Sequence, residues 1–381
     1  MRVGIFTDTY TPDVNGVVTV INLMTRELRK YNHEVYIFCP KYPGERDNDL
    51  NVYRFSSLRF TFYKGMRWAI PYSRKAFRVI PSLDIIHSHD PGPIGLLALW
   101  SAERYHTPHI HTYHNLYMDY RRYLPLLIRP TRGTVKRMSR LLCNRCDAII
   151  APSEPMEREL ISYGVTRPIY PLPFGVNAEE FSHEITWNVR ESLNLPTEDL
   201  LLYAGRLGKE KNLDFLLHSF GLLLSRRPTA RLIIAGDGPH CETLKRYADS
   251  LRIARYVTFT GFLKREDLVD LYKQATLFVF SSKTDTQGLV IMEAMMAGTP
   301  VVAVNILGPL GVIDQGKTGI LVNEDEAEFA DACLKLLENN DERRKIGAAA
   351  REWACTNSAQ ESTRKLLDIY STYVKVKKPK L

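Results

Sequence analysis

The sequence predicts an α/β protein of two domains, each built on a doubly wound parallel sheet. Short β-branched runs alternate with helix-period segments from the first residues to about position 322, the rhythm of parallel strands covered by helices. Several of these runs end in glycine-containing turns that open helices, at Gly16, Gly205, Gly236 and Gly288, which puts ligands at the carboxyl ends of strands. The 381 residues exceed one ordinary core, and the rhythm breaks between about 171 and 199, where PLPFGVN and LNLPTED bracket a charged stretch. Such a proline-rich polar segment marks a domain boundary. We therefore expect domains over 1–180 and 181–357, with a last helical segment and basic tail over 358–381.

Composition narrows the class. Hydrophobic residues at 45% and charged residues at 25% are those of a soluble globular protein. A net charge of +8 and a pI near 9.0 favour anionic partners: a membrane surface, a nucleotide diphosphate or nucleic acid. No apolar stretch approaches the ~20 residues that span a bilayer, and the chain opens on a strand rather than a signal peptide. A cytoplasmic protein is expected. Cys143-x-x-Cys146 has no second pair or histidine cluster at zinc spacing, so neither metal nor redox work is assigned to it.

In chain order, residues 2–7 (RVGIFT) read as a buried strand, the Gly16 turn opens a helix carrying Val20, Leu23, Met24 and Leu28, and 35–38 gives the next strand. Glycine there lets backbone approach a ligand and the helix start favours negative charge, though the spacing is not the dinucleotide fingerprint. Strands follow at 52–55, 84–88, 109–112 and 148–151. His106, His109, His111 and His114 crowd one of them. Zinc is not favoured, because His109 and His111 alternate along a strand with no acidic or thiol ligand at a familiar spacing. His114, just past the strand end, is either a satisfied structural histidine or a group that donates and accepts hydrogen bonds to a ligand.

Arg129, Arg132, Lys136 and Arg140 form one helical stripe, widened by Arg137 and Arg145. Leu126, Leu127 and Ile128 precede it, and Met138, Leu141 and Leu142 supply an apolar side. Such a helix suits an anionic membrane surface, or is a solvated face packed on the core. The run 59–68, RFTFYKGMRW, mixes aromatic and basic residues and suits a lipid-facing loop.

The second half opens with a strand at 200–204 running into GRLGKEKNLDFLL. Arg206 and Lys211 flank this loop, where two fixed cations can neutralise charge on a departing diphosphate, or form a salt-bridged surface loop. Strands at 232–235 and 257–262 follow. Between the runs 278–280 and 301–304 lies SSKTDTQGLVIMEAMMAGTP. Gly288 falls where this loop meets a helix, a place that favours phosphate. Asp285 and Glu293 flank it eight residues apart, so that one can face a sugar and the other a ribose, or the stretch is an ordinary strand-helix connection.

TDTQGLVIMEAMMAGTPVVA resembles the E-x7-E region of retaining GT-B glycosyltransferases of family four, and the resemblance covers nearly the whole chain. The Thr-Asp-Thr-Gln-Gly wording is closest to the diacylglycerol glucosyl- and galactosyltransferase branch. The first acidic position, usually Glu, is Asp285 here, one methylene shorter. The resemblance implies a GT-B fold, two Rossmann-like domains facing across a cleft, with the last helix crossing back to the first domain. It implies that Arg206 and Lys211, in G-R-x-x-x-x-K beginning at Gly205, stabilise the leaving diphosphate with backbone N–H groups near Gly16, Gly288 and Leu289. Glu293 would hold the ribose, Asp285 the sugar hydroxyls, and the turn at Gly261 and Phe262 the base. His114, in Thr112-Tyr113-His114, would orient the reacting sugar.

The implied reaction is retaining transfer of a hexose, glucose first, from a UDP-sugar to diacylglycerol, by a protein held peripherally on the cytoplasmic membrane face through Arg129, Arg132, Lys136, Arg137 and Arg140. No permanently bound cofactor or intrinsic metal is expected. Galactose or mannose as the sugar, and another lipid, phosphatidylinositol or a soluble sugar as acceptor, stay open. A nucleic-acid-binding protein is the remote alternative, with no recognised motif in the sequence.

Overall fold

The computed structural model describes residues 1–45, 47–59, 67–114, 129–195 and 199–375. Positions 60–66 of the aromatic and basic run, Leu126, Leu127, Ile128 and most of the basic tail lie outside these residues. The chain divides into two compact units, Met1–Phe174 with Ala359–Leu381, and Gly175–Ser358.

The first unit holds β1 (Arg2–Phe6), β2 (Glu34–Pro40), β3 (Val52–Phe55), β4 (Ser57–Arg59), β5 (Arg67–Ala69), β6 (Ile85–Ser88), β7 (His109–Thr112), β8 (Ala148–Ala151) and β9 (Ile169–Pro171). Seven of these form a parallel sheet in the order β3-β2-β1-β6-β7-β8-β9, while β4 and β5 pair as an antiparallel ribbon with Leu58 opposite Trp68. The inner strands are buried along their whole length, as in Ile85–Ser88 and Ala148–Ala151, which explains their continuous rather than alternating apolar runs. Covering them are α1 (Gly16–Lys30), α2 (Arg74–Val79), α3 (Pro93–Tyr105), α4 (Arg132–Cys143) and α5 (Glu154–Ser162).

Helix α1 starts at Gly16 because the Asn15 side chain accepts the Val18 N–H at 3.0 Å, satisfying one of the helix's orphan donors. It buries Val17, Val20, Ile21, Met24 and Leu28, and ends on Arg29 and Lys30, which complement its dipole. Helix α3 is capped from a distance. The Asp8 carboxylate, in the loop after β1, accepts the N–H groups of Ile94 and Gly95 at 3.0 and 3.2 Å. Gly95 is required there, since a Cβ would lie 1.7 Å from the Asp90 carbonyl oxygen.

The second unit carries β10 (Leu200–Ala204), β11 (Arg231–Ala235), β12 (Val257–Gly261), β13 (Leu277–Phe280), β14 (Val301–Val304) and β15 (Ile320–Val322), all parallel, in the order β12-β11-β10-β13-β14-β15. Its helices are α6 (Val189–Ser192), α7 (Leu213–Arg226), α8 (Cys241–Ser250), α9 (Arg265–Gln274), α10 (Leu289–Ala297), α11 (Glu326–Glu338) and α12 (Asn340–Thr356). The chain order of the strands reverses between β10 and β13, so the loops leaving these two strands border the crevice where open α/β sheets bind ligands. In the first unit the same reversal falls between β1 and β6. The last helix, α13 (Ala359–Lys375), belongs to the first unit and packs on α1.

Candidate active site

In the second unit the strand ends are fitted backbone to backbone. The Gly205 N–H donates to the Ala235 carbonyl and the Gly236 N–H to the Gly261 carbonyl, both at 2.9 Å. Gly236 has φ +136, and a Cβ on it would lie 1.9 Å from the Gly205 carbonyl oxygen. No side chain fits between these strands. Gly236→Ala is expected to destabilise the second unit by about 2–4 kcal/mol, read as a lower urea midpoint with unchanged m-value.

Beyond Gly205 the chain turns through the exposed Arg206 to a short 3-10 turn, Lys209–Lys211. Lys211 Nζ bonds both oxygens of Asp285 at 2.8 Å, with the two side chains 18% and 25% exposed. The Ser281 hydroxyl donates to the Lys211 carbonyl at 2.9 Å. The loop after β10 is thus tied to the loop after β13 across the switch point. Gly308 backs this arrangement, because a Cβ there would lie 2.3 Å from the Asp285 carbonyl oxygen.

Gly288 adopts a left-handed conformation (φ +71, ψ 66) as the N-cap of α10, with no side chain of its own to cap the first helical N–H groups, and Leu289 is the first helical residue. Helix α10 is apolar all round and mostly buried, so Glu293 is carried into the interior and needs partners. It has them. Oε2 accepts from the Tyr272 hydroxyl at 2.8 Å, and Oε1 pairs with Arg265 Nη1 at 2.5 Å. Arg265 Nε reaches Glu180 at 2.7 Å. Burial, then the Glu293 carboxylate, hold the Tyr272 hydroxyl well above its ordinary pKa, so it remains a donor. Arg265 and Tyr272 were not singled out from sequence, although their spacing of seven puts both on one face of α9. Gly261, with φ +70, ends β12, and Phe262 beyond it is 71% exposed.

In the first unit Gly16 opens α1 and is exposed. His114 follows β7 and is buried in a group of histidines that differs from the four crowded in the sequence. His106 is exposed, serving as the left-handed C-cap of α3. His87 and His89, at and after the end of β6, join instead. His114 Nε2 lies 2.7 Å from His89 Nδ1, His87 bonds Thr112 Oγ1 at 2.6 Å and the Tyr370 hydroxyl at 2.5 Å, and Ser88 Oγ bridges His109 and His111 at 2.8 Å each. Burial drives every one of these imidazoles below its ordinary value, to about 3 for His109 and His114 and about 4 for His111. All five are neutral at pH 7. Among the described residues no three His, Cys, Asp or Glu side chains converge as a metal site requires.

Helix α4 carries buried residues on one side and exposed apolar residues on another. Val135, Ser139 and Cys143 face the core, and Ser139 bonds the Tyr113 hydroxyl at 2.8 Å. Met138 and Leu141, assigned above to an apolar side, are 63% and 54% exposed among the exposed Arg132, Arg137 and Arg140. Lys136 lies 5.0 Å over the Tyr163 ring, Arg129 is half-buried, and Arg145 is held by Glu103 at 2.6 and 2.8 Å. A second exposed apolar group runs from Leu58 and Trp68 through Ile70 and Tyr72 to Leu96 and Trp100, with Arg74, Lys75 and Arg78 exposed on α2.

Comparison with known proteins gives the site its class. Residues 14–180 match the family described as Glycosyltransferase Family 4, and 185–353 the family described as Glycosyl transferases group 1. The chain is 36% identical over 314 residues to the α-monoglucosyldiacylglycerol synthase of Streptococcus pneumoniae, covering 80% of this chain and 71% of that protein. It is 28% identical to the enzyme of the same name from Acholeplasma laidlawii, over 89% of each. Anabaena HepE, solved in complex with UDP, superposes with a TM-score of 0.79 at 17% identity, covering 98% of this chain and 100% of that one, and shows a shared fold. The two Rossmann-like units are those of a GT-B nucleotide-sugar glycosyltransferase. The chain belongs to glycosyltransferase family 4.

Proposed function

We propose that this enzyme transfers a hexose, glucose first, from a UDP-sugar to the free hydroxyl of diacylglycerol with retention of anomeric configuration, while bound peripherally to the inner face of the cell membrane. The observation that carries the donor half is the Lys211–Asp285 pair at the switch point of the second unit, beside Arg206 and the uncapped start of α10. A diphosphate arriving there competes with Asp285 for Lys211, and Arg206 adds a second cation. Asp285, released, accepts from the sugar hydroxyls. Glu293, held by Tyr272 and Arg265, takes the ribose, the backbone near Gly16, Gly288 and Leu289 takes phosphate oxygens, and the turn at Gly261 and Phe262 lies along the base. His114 orients the sugar. The bond from the anomeric carbon to the diphosphate breaks, the lipid hydroxyl oxygen bonds the same face of that carbon, and the leaving phosphate takes the hydroxyl proton.

The acceptor is supported by the name of the 36%-identical relative and by the surface of the first unit. Met138 and Leu141 among Arg132, Arg137 and Arg140, and the Trp68 to Trp100 group beside α2, combine exposed apolar side chains with cations, as an anionic bilayer surface favours. No helix among the described residues is long and apolar enough to cross a membrane.

The test is nucleotide release from a panel of UDP- and GDP-sugars, with and without anionic liposomes containing diacylglycerol. Turnover of UDP-glucose only with liposomes, with a glycolipid product, is expected. Turnover with GDP-mannose or UDP-galactose would correct the sugar. Equal turnover on a soluble acceptor without lipid would remove the membrane from the mechanism.

A further inference from the structure

We propose that His89 is a positioning residue for His114: its Nδ1–H donates to His114 Nε2 and holds the His114 ring in the tautomer with its proton on Nδ1. The effect on rate rests on the reading of His114 as the histidine beside the reacting sugar; the tautomer itself does not.

The geometry supports a directed bond. His89 follows β6 and His114 follows β7, which are neighbouring parallel strands. The two nitrogens are 2.7 Å apart, with ring planes 21° apart and centroids at 5.0 Å, the spacing of two imidazoles joined end to end in nearly one plane. One proton occupies this bond, since both rings are buried and neutral. Were His114 the donor, His89 would carry its own proton on Nε2, which meets no hydrogen-bonding partner among the described residues. That is an orphaned buried N–H, the rarer and more costly vacancy. With His89 as donor, its Nε2 presents only a lone pair, and His114 keeps its proton on Nδ1. The bond a ring makes at one nitrogen thus fixes the proton at the other.

His89 is itself held in place. Its ring lies 4.3 Å from that of His87, which is gripped at its two nitrogens by Thr112 and by Tyr370 of α13. Thr112 is two residues from His114, so the same array fixes the end of β7 and the ring beyond it. Phe174 lies against His114 on another side, with ring centroids 5.7 Å apart.

Long-range 15N imidazole spectra of the full-length protein at neutral pH read the tautomer directly, with His114 assigned by its loss in His114→Gln. The Nδ1–H form is expected. His89→Asn keeps an N–H where Nδ1 stood and should preserve both the tautomer and most of the rate. His89→Phe should release the tautomer and lower kcat on the order of 10²-fold with little change in donor KM. A wild-type His114 protonated on Nε2, or a tautomer unmoved in His89→Phe, overturns the proposal. A tautomer that shifts in His89→Phe while kcat does not supports His89 as the positioning residue and removes His114 from the chemistry.

Discussion

Lys211→Ala is expected to lower kcat about 10³-fold, and Arg206→Ala about 10²-fold, in the nucleotide-release assay. Both cations are read as opposing charge that develops on the leaving diphosphate, and removing one such group from a preorganised site typically slows the chemical step by 10²–10³. The two differ in what their loss exposes. Arg206 is exposed, and its removal takes a positive charge from the loop after β10. Lys211 is paired through both oxygens of Asp285, so its removal also leaves a carboxylate without its cation beside the incoming diphosphate, and the affinity for UDP should fall with kcat. Lys211→Arg can still pair with both Asp285 oxygens, but its larger planar fork moves the positive charge away from the point that the compact ammonium occupies, so UDP affinity should return more fully than kcat. Asp285→Asn should separate the roles: UDP binds at least as tightly, measured by titration calorimetry, while turnover falls because the sugar hydroxyls lose an anionic acceptor. Wild-type turnover in Lys211→Ala would reduce the pair to a salt bridge that ties two loops.

The sequence showed Lys211 and Asp285 separately, as a loop cation and the first member of an acidic pair, but not their bond across 74 positions. Local pattern reaches strand, turn and helix; which loops meet is decided by strand order, and the neighbouring of β10 and β13 has no local signature. The long strands were legible for the opposite reason. Segments such as Leu200–Ala204 and Val301–Val304 are buried throughout and leave unbroken apolar runs. Segment β9 has three residues and ends on Pro171, and β4 and β5 have three each, too short to show a period. His87 and His89 were overlooked because a histidine within an apolar strand looks like any polar interruption; their pairing with His114 and Tyr370 appears only when β6, β7 and α13 come together. On α4 the apolar side expected from Met138 and Leu141 is exposed, and a second inward side, Val135, Ser139 and Cys143, was not read from the sequence. A helix with apolar residues on both sides does not declare from sequence which side is inside.

The buried histidines make the first unit acid-labile, and its unfolding is expected between about pH 6 and pH 4. His109 and His114 have values near 3 and His111 near 4, against an ordinary 6.5. Below pH 6.5 the unfolded chain takes up protons that the buried rings refuse, so stability falls with pH until the rings themselves protonate near pH 3 to 4. By pH 4 each of these three disfavours the fold by roughly 3 kcal/mol relative to neutral pH. His87 and His89, lowered by burial, act in the same direction. Together the three approach the ~5–15 kcal/mol that holds a typical domain. Asp8 opposes them: burial and then the Asp90 charge raise it to about 7, so acid favours its folded form by up to roughly 4 kcal/mol. Asp90 is also raised by burial, and the pair does not outweigh five imidazoles. The second unit responds later. At Asp199 burial pushes the carboxyl up but hydrogen bonds from Arg227 and Thr229 win; at Asp270 the Trp187 and Thr186 N–H groups do the same. Both therefore hold their contribution until the pH falls below the ordinary carboxylate range. Hydrogen exchange along a pH series should show β6, β7 and α13 losing protection first, while β10 and β13 stay protected. His109→Gln, which keeps a polar atom near Ser88 and removes one titrating ring, should move the midpoint to lower pH. Loss of both units together below the carboxylate range, with no effect of His109→Gln, would assign acid sensitivity to carboxylates and leave the histidine group without a role in it.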